Sequence, residues 1–540
     1  MSRGLAALAA ICMLAACTRV APTSQGGGAR HPWTVAGYLR IGSTDEPDSL
    51  NPMFAHTDAT DQIDALVFAP VFRYDQRGEL VPELATQIPT YQNGGISKDG
   101  MTLTLHFRRG VKWSDGAPLD ARDFRFTWRA TMNPRNNVKL RAGWDDVVSI
   151  DLPDPYTAVV RLREPNVSFI GALGGGGGSA YPPLPEHVLG ALPDLNAAPF
   201  NAAPISSGPW LLKKWAHGAS LEFVPNPRYW RGAPKLSALT YRIVPNPDVL
   251  FTQLRTHEID LIDSVTVNHV DELSRLDGIA VGERLSANWR HLAFNTRKRE
   301  LADVRVRLAI AEAIDWDRIN TVIYHGYNLR AHSDIIPTSW AAPAIPLYRH
   351  DPADASKLLD AAGWRIGGDG LRHRGALALR TSISSSTNNQ PNEQAEVQMQ
   401  QQLRGVGIDL AIKNYPVSLL FAQDGPLYGG RYDMSWSVDT NGPDPDNAGS
   451  WAAQFIPPRG ANTTFLADPI ISQTAIAATH TYDRAQRKAL YQREEERIHE
   501  LVPAVFLYWQ NQFAAYNSDL KNYKPAQFIT SFWNSWEWSI

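Results

Sequence analysis

The chain switches repeatedly between two hydrophobic periods. In "MTLTLHFRRGVKW" the apolar residues Leu103, Leu105 and Phe107 alternate with polar ones, which predicts a strand with one buried face. The next stretch, "SDGAPLDARDFRFTW", turns at Asp115-Gly116 and predicts a helix with Asp120 as its N-cap. "DVRVRLAIAEAIDWDRI" places Val306, Ile310, Ala313 and Ile314 at helical spacing. "NEQAEVQMQQQLRG" predicts a helix closed by Gly405, and "GIDLAIKNY" a strand with Ile408, Leu410 and Ile412 on one face. "DRAQRKALYQREEERIHEL" predicts a long polar helix whose Glu494-Glu495-Glu496 run faces solvent. Helices and strands alternate through most of the length without an internal repeat, so the fold class is α/β or α+β.

At 540 residues the chain is long enough for two or three domains. A net charge of −3 gives bulk electrostatics that favour no nucleic-acid partner. The 17 tryptophans and 18 tyrosines suit a core, and they also suit a large wet pocket, because each ring offers an apolar body and a polar tip. The start reads "MSRGLAALAAICMLAACTRV". Arg3 makes a short positive region, Leu5 to Leu14 is apolar but too short to span a bilayer, and Ala15 and Ala16 lead into Cys17. Leu14-Ala15-Ala16-Cys17 resembles a bacterial lipoprotein box, which implies cleavage before Cys17 and lipid attachment to its thiol. A plain secretory signal cleaved nearby is the alternative. Either way residues 1–16 leave, Cys12 with them, and "TRVAPTSQGGGARHP" reads as part of a flexible tether over 17–36. The expected location is the periplasm or cell surface, anchored by lipid.

The stretch "YDMSWSVDTNGPDPDN", Tyr432 to Asn447, concentrates four aspartates: Asp433, Asp439, Asp444 and Asp446. Carboxylates at this density suit acid–base chemistry, a metal or a cationic ligand. A calcium loop started at Asp444 has Asp446 and Gly449 in place, but Ala448 and Phe455 stand where ligands belong. Started at Asp439, the glycine comes too early, at Gly442. No Gly-x-Ser-x-Gly elbow or His-Glu-x-x-His helix occurs. His291, His325 and His332 are scattered among the 14 histidines. The glycine run Gly174 to Gly178 lacks the lysine and hydroxyl residue of a phosphate loop. No cofactor is expected.

Taken in order, several segments resemble the family-5 extracellular solute-binding proteins, the peptide-binding subunits of bacterial ABC importers. The carriers are "TLTLHFRRGVKWSDGAPLDARDFRFTW", "EPDSLNP" at Glu46, "NPRYW" at Asn226, "LRTHEIDLID" at Leu254, "LAFNTRKRELADVRVRLAIAEAID" at Leu292, "DPADASKLLDAAGW" at Asp351 and the aspartate stretch. The resemblance implies an α/β, two-lobe periplasmic-binding-protein fold with a hinge, and an extra subdomain in the first lobe. By analogy lobe I comprises residues 37–62, 205–285 and 511–540, the subdomain 63–204, and lobe II 286–510. It also implies a peptide ligand, an ABC permease in the cytoplasmic membrane as partner, no chemistry of its own, and a monomer.

In peptide-binding members an aspartate three residues after a tryptophan pairs with the ligand's α-amino group, and Trp436-Ser437-Val438-Asp439 has that spacing. Lobe closure strips water from the ammonium, which then needs a carboxylate. Trp436 would wall the cavity. The alternative role for Asp439 is to cap a turn with Asn441-Gly442. Pro443 adds one residue relative to the family pattern, which bears on the reach of Asp439. Asp446 reads as an N-cap before "NAGSW", and Asp433 as structural. "TSISSSTNNQP" at Thr381 matches a ligand-facing loop, with Ser384 and Ser385 as contacts. Two readings compete with peptide capture: the same fold holding an oligosaccharide, metal chelate or haem, and a secreted hydrolase using the clustered carboxylates.

Overall fold

The computed structural model describes residues 30–54, 57–138, 140–174, 181–387 and 389–540. Cys17, the signal and most of the tether lie outside them, as does the glycine run after Gly174. Among the described residues, eleven strands join one sheet that runs through both lobes. Along its main path the order is Asp409–Ile412, Arg380–Ser384, Met434–Thr440, Ile279–Phe294, Ala504–Asn517, Leu261–Val265, Tyr38–Ser43, Ala238–Ile243, Ser220–Pro225, Trp210–Ala216.

Two strands carry the chain between the lobes. Ile279–Phe294 and Ala504–Asn517 pair antiparallel, and Ala504–Asn517 also pairs with Leu261–Val265 of lobe I. Ile279–Phe294 pairs with Met434–Thr440 of lobe II. The register between the two long strands shifts between Leu285 and Trp289. A second shift follows between Arg290 and His291, and an interrupted ladder bends more easily than a regular one.

Each lobe has its own core. The lobe I core collects Leu39, Ile41, Trp113, Trp144, Tyr241, Phe532 and Trp538, so segments far apart in sequence share one interior. The lobe II core collects Val306, Ile310, Leu359, Trp364, Met399, Leu403 and Trp436. Val306, Ile310, Ala313 and Ile314 are all buried, as their spacing predicts.

The "RRGVKWSDGAPLDARDF" signature is architectural. Asp120 caps helix Ala121–Met132, with Asp123 closing a capping box. Trp113 is buried and its Nε1 donates to Asp123 Oδ2 at 3.2 Å. Arg108 lies 4.3 Å from the Trp230 ring and donates to the Glu83 carbonyl. Gly110 and Gly116 take φ of +79° and +100°, the left-handed region that lets the loop turn tightly.

Three expectations need correction. Residues 31–36, assigned to the tether, are folded onto lobe I. The His31 amide and the Thr34 hydroxyl both donate to Asp519, and Trp33 stacks between His31 and His257. Gly405 is the last residue of helix Gln390–Gly405 rather than its closure; Gly407, at φ +86°, makes the left-handed turn. Glu494 and Glu495 do not face solvent. Helix Arg484–Leu501 packs on helix Pro469–His480 and buries Arg487, Tyr491, Glu494, Glu495 and Ile498 on one face, leaving only Glu496 of the run exposed.

Candidate functional site

The cavity between the lobes measures about 360 Å³. Its floor is built from strand ends in lobe I. Tyr38–Ser43 runs parallel to Leu261–Val265 and to Ala238–Ile243, and residues Gly42 to Asp45 and Ile262 to Ser264 line the cavity at the carboxyl ends of their strands. Ligand clefts form at such ends because the chain leaves the sheet there in diverging loops. One wall is helix Asp58–Val67, another the C-terminal loop with Phe528 and Trp533. Ser286, Ala287 and Asn288, at the interruption of the long ladder, and Thr440 of strand Met434–Thr440 complete the lining.

The helix wall is acidic. Asp58, Asp61 and Asp64 recur every three residues and all line the cavity, while Thr60, Ile63 and Leu66 are buried away from it. Desolvation pushes the Asp61 carboxyl up to about 6, with Asp58 adding to the shift. Burial, then the charge of Asp61, raises Asp64 well above the usual carboxylate range. Asp58 reaches solvent but is also raised, by desolvation and then by Asp45 and Asp263. Asp263 is held on several sides: Arg284 at 3.2 Å, Gln62 Nε2 at 3.2 Å, and the Tyr523 hydroxyl, which donates to it. The sequence signal for this wall was the three-residue spacing in "DATDQIDALV"; only the fold shows that the spacing faces a cavity.

The four aspartates of the 432–447 stretch divide by their partners. Asp433 accepts from the Ser382 amide and hydroxyl and pairs with Lys298 at 3.1 Å, which ties the strands of lobe II together. Asp444 pairs with buried Arg487 at 2.7 Å. Desolvation raises the Asp446 carboxyl pKa, while Asn447 takes the N-cap position of helix Ala448–Trp451. Asp439 differs. Its side chain is 54% exposed, and its ion-pair contact among the described residues is His291 Nε2 at 3.7 Å. Burial lowers the His291 pKa, so the ring is neutral near pH 7 and leaves the Asp439 charge uncompensated. No hydrogen bond among the described residues links Asp439 to the Asn441 or Gly442 amide; Asn441 instead donates to the Asp334 carbonyl. Asp439 is not itself a lining residue: it precedes Thr440, which lines the cavity opposite Asn288, and on the alternate face of the strand it lies beside His291 and its cross-strand partner Trp289.

The other named residues do not gather beside Asp439. Trp436 lies three positions earlier on the same strand, so the two point to opposite faces. Its ring is buried in the lobe II core, 6.1 Å from Trp316, with the Arg290 guanidinium 5.8 Å from its centroid. Ser384 ends strand Arg380–Ser384 and is buried. Ser385 is buried too, its amide donating to Asn414 Oδ1 and its hydroxyl to the Ser386 carbonyl.

A two-lobed α/β chain, crossed by two long strands that enclose a ligand-sized cavity, has the architecture of a solute-binding protein. Residues 79–455 match the family described as bacterial extracellular solute-binding proteins, family 5, and the chain belongs to that family. It is 25% identical over 501 residues to the oligopeptide-binding protein AppA of Bacillus subtilis, covering 90% of this chain and 89% of that one. It is 27% identical over 502 residues to a putative ABC transporter peptide-binding protein of Brucella ovis, covering 91% and 90%. Among solved structures it matches NikZ from Campylobacter jejuni in complex with Ni(L-His), at a TM-score of 0.78 and 26% identity, over 94% of this chain and 100% of that one. The structure of the Bacillus AppA with a nonapeptide matches at a TM-score of 0.76 and 23% identity, over 93% and 98%, a likeness of fold. Among the described residues no helix is long and apolar enough to cross a membrane.

Proposed function

We propose that the protein captures peptides between its lobes and passes them to an ABC permease, without chemistry of its own, while lipid on Cys17 holds it at the membrane. The lobes meet at about residues 286 and 511 in this reading, beside the break in the long ladder. The observation that carries the proposal is the isolation of Asp439. Asp433 and Asp444 of its stretch are paired by the protein, whereas Asp439, one position before Thr440 of the cavity wall, keeps among the described residues a single 3.7 Å ion-pair contact, with the His291 ring. A closing lobe brings a peptide's α-ammonium out of water, and a waiting carboxylate offsets that desolvation. The peptide-binding names of the Bacillus and Brucella relatives support the same cargo.

The test is calorimetric titration with a mixed pool of short peptides, after unfolding and refolding to strip carried-over ligand. Wild type is expected to bind near micromolar, about −8 kcal/mol. Asp439→Asn should weaken that by about 2–5 kcal/mol, the usual range for truncating one partner of a buried charge pair. Equal binding by both proteins would remove Asp439 from the site.

A second reading rests on the neighbour that holds Ni(L-His). The cavity would then take a metal–amino-acid chelate. Binding of such a chelate with no heat from any peptide would select it.

A further inference from the structure

We propose that the cleft selects peptides carrying a second positive charge, a lysine or arginine side chain seated against Asp58, Asp61 and Asp64. The proposal rests on the peptide reading above and adds to it which peptides are preferred.

The first support is the charge balance of the cavity wall. Asp45, Asp58, Asp61, Asp64 and Asp263 line it, against Arg73 and Arg284. Both arginines are already engaged. Arg284 pairs with Asp263, and Arg73 lies 3.5 Å from buried Glu83 and donates to the Trp533 carbonyl. Among the described residues Asp45, Asp58, Asp61 and Asp64 form no ion pair of their own, and Arg284, held by Asp263, acts on Asp58 from a distance. A wall of this kind attracts cations and repels an acidic side chain.

The second support is Asp64. Carboxylates in the first turn of a helix are ordinary, because the positive end of the helix dipole stabilises them, and this covers Asp58 and Asp61. Asp64 sits in the last turn, where the dipole disfavours a negative charge and where this helix carries no basic residue. The residue is half-buried, and its Oδ1 is buried without a hydrogen-bond partner. A buried polar oxygen left unsatisfied is costly, so a group that arrives with the ligand and satisfies it explains its retention. A lysine ammonium or arginine guanidinium supplies both the donors and the charge.

The third support is the company these carboxylates keep. Phe68, Phe528 and Trp533 line the same cavity and offer apolar surface to the long aliphatic stem of such a side chain.

Two pools of free-amine tripeptides test this. One carries lysine or arginine at a varied position, and the other has norleucine or citrulline in its place. Wild type should bind the basic pool at least about tenfold more tightly, equivalent to 1.4 kcal/mol. Asp64→Asn and Asp61→Asn should each erode that preference, read as the ratio of basic-pool to neutral-pool affinity in the same variant. The preference should persist when both pools are N-acetylated, since it does not depend on Asp439. Equal binding of the two pools by wild type would overturn the proposal and leave the peptide reading intact. Binding of free spermidine with no binding of either pool would overturn both.

Discussion

The Asp439 carboxylate stands 3.7 Å from the Nε2 of His291, a buried ring whose pKa is lowered by its enclosure. A neutral imidazole beside a half-exposed carboxylate leaves that carboxylate charged and available. Asp439→Asn should therefore change stability by no more than about 0.5 kcal/mol, as expected of a solvent-exposed side chain. Peptide affinity should fall with the fold intact. Thermal unfolding measured beside titration separates the two effects, and a large fall in Tm would mark Asp439 as structural.

Asp444 gives the contrasting case. Its partner Arg487 has a side chain that is 1% exposed, and Tyr491 and the Pro445 carbonyl complete the cluster. Asp444→Ala strands a buried guanidinium and should cost about 3 kcal/mol of stability, toward the low end for a buried pair because Asp444 itself reaches solvent. Denaturant unfolding reads this as a lower midpoint with an unchanged slope. Replacing both residues, Asp444→Ala with Arg487→Met, should recover part of the loss.

Asp61 links stability to pH with a definite sign. Its folded pKa of about 6 lies above its unfolded value, so between about pH 4 and 6 the native state binds more protons. This contribution stabilises at low pH and is lost as pH rises through about 6. Asp58 faces it as a like charge and Asp64 lies one helical turn on, while Asp45, Asp263 and the cation Arg284 act on Asp58. Asp61→Asn should raise ligand-free stability at pH 7.5 by roughly 2 kcal/mol and leave it unchanged at pH 4. A variant that gains stability while losing preference for basic peptides is the trade expected of a binding site.

Glu494 and Glu495 should behave in the same direction. Burial, then the carboxyl group of Asp334, raises both well above the ordinary glutamate value. Stability that they contribute is present below the unfolded pKa and is lost as pH rises through the folded one. Glu495→Gln should flatten the decline of Tm above neutral pH, whereas Glu495→Lys should unfold the helix face. A pH series of thermal melts distinguishes these outcomes.

Local pattern made much of the fold legible. Asp120 announced a helix start, the alternation at Leu103 and Leu105 a strand, and Val306 to Ile314 a buried helix face. The misses share a cause. Glu494 and Glu495 look like a solvated run when read along the chain, but Tyr491 and Ile498 lie on the same helical face and draw them inward. Gly405 and Gly407 differ only in which one takes positive φ, a choice set by how the turn meets Ile366 and Arg372. Asp439 could be singled out from its stretch by family resemblance, but its isolation needed the coordinates, because Lys298, Ser382 and Arg487 lie far away in sequence. The acidic cavity wall was written in the spacing of Asp58, Asp61 and Asp64, yet its meaning depends on loops near 44, 263 and 528 closing around it.

The most direct test of peptide capture through Asp439 is one pair of titrations on the wild-type protein, with a bound-and-released peptide in its free-amine form and then N-acetylated. The account predicts that acetylation weakens binding by about 2–5 kcal/mol, because it removes the cation that Asp439 waits for. Equal affinity for the two forms would contradict it.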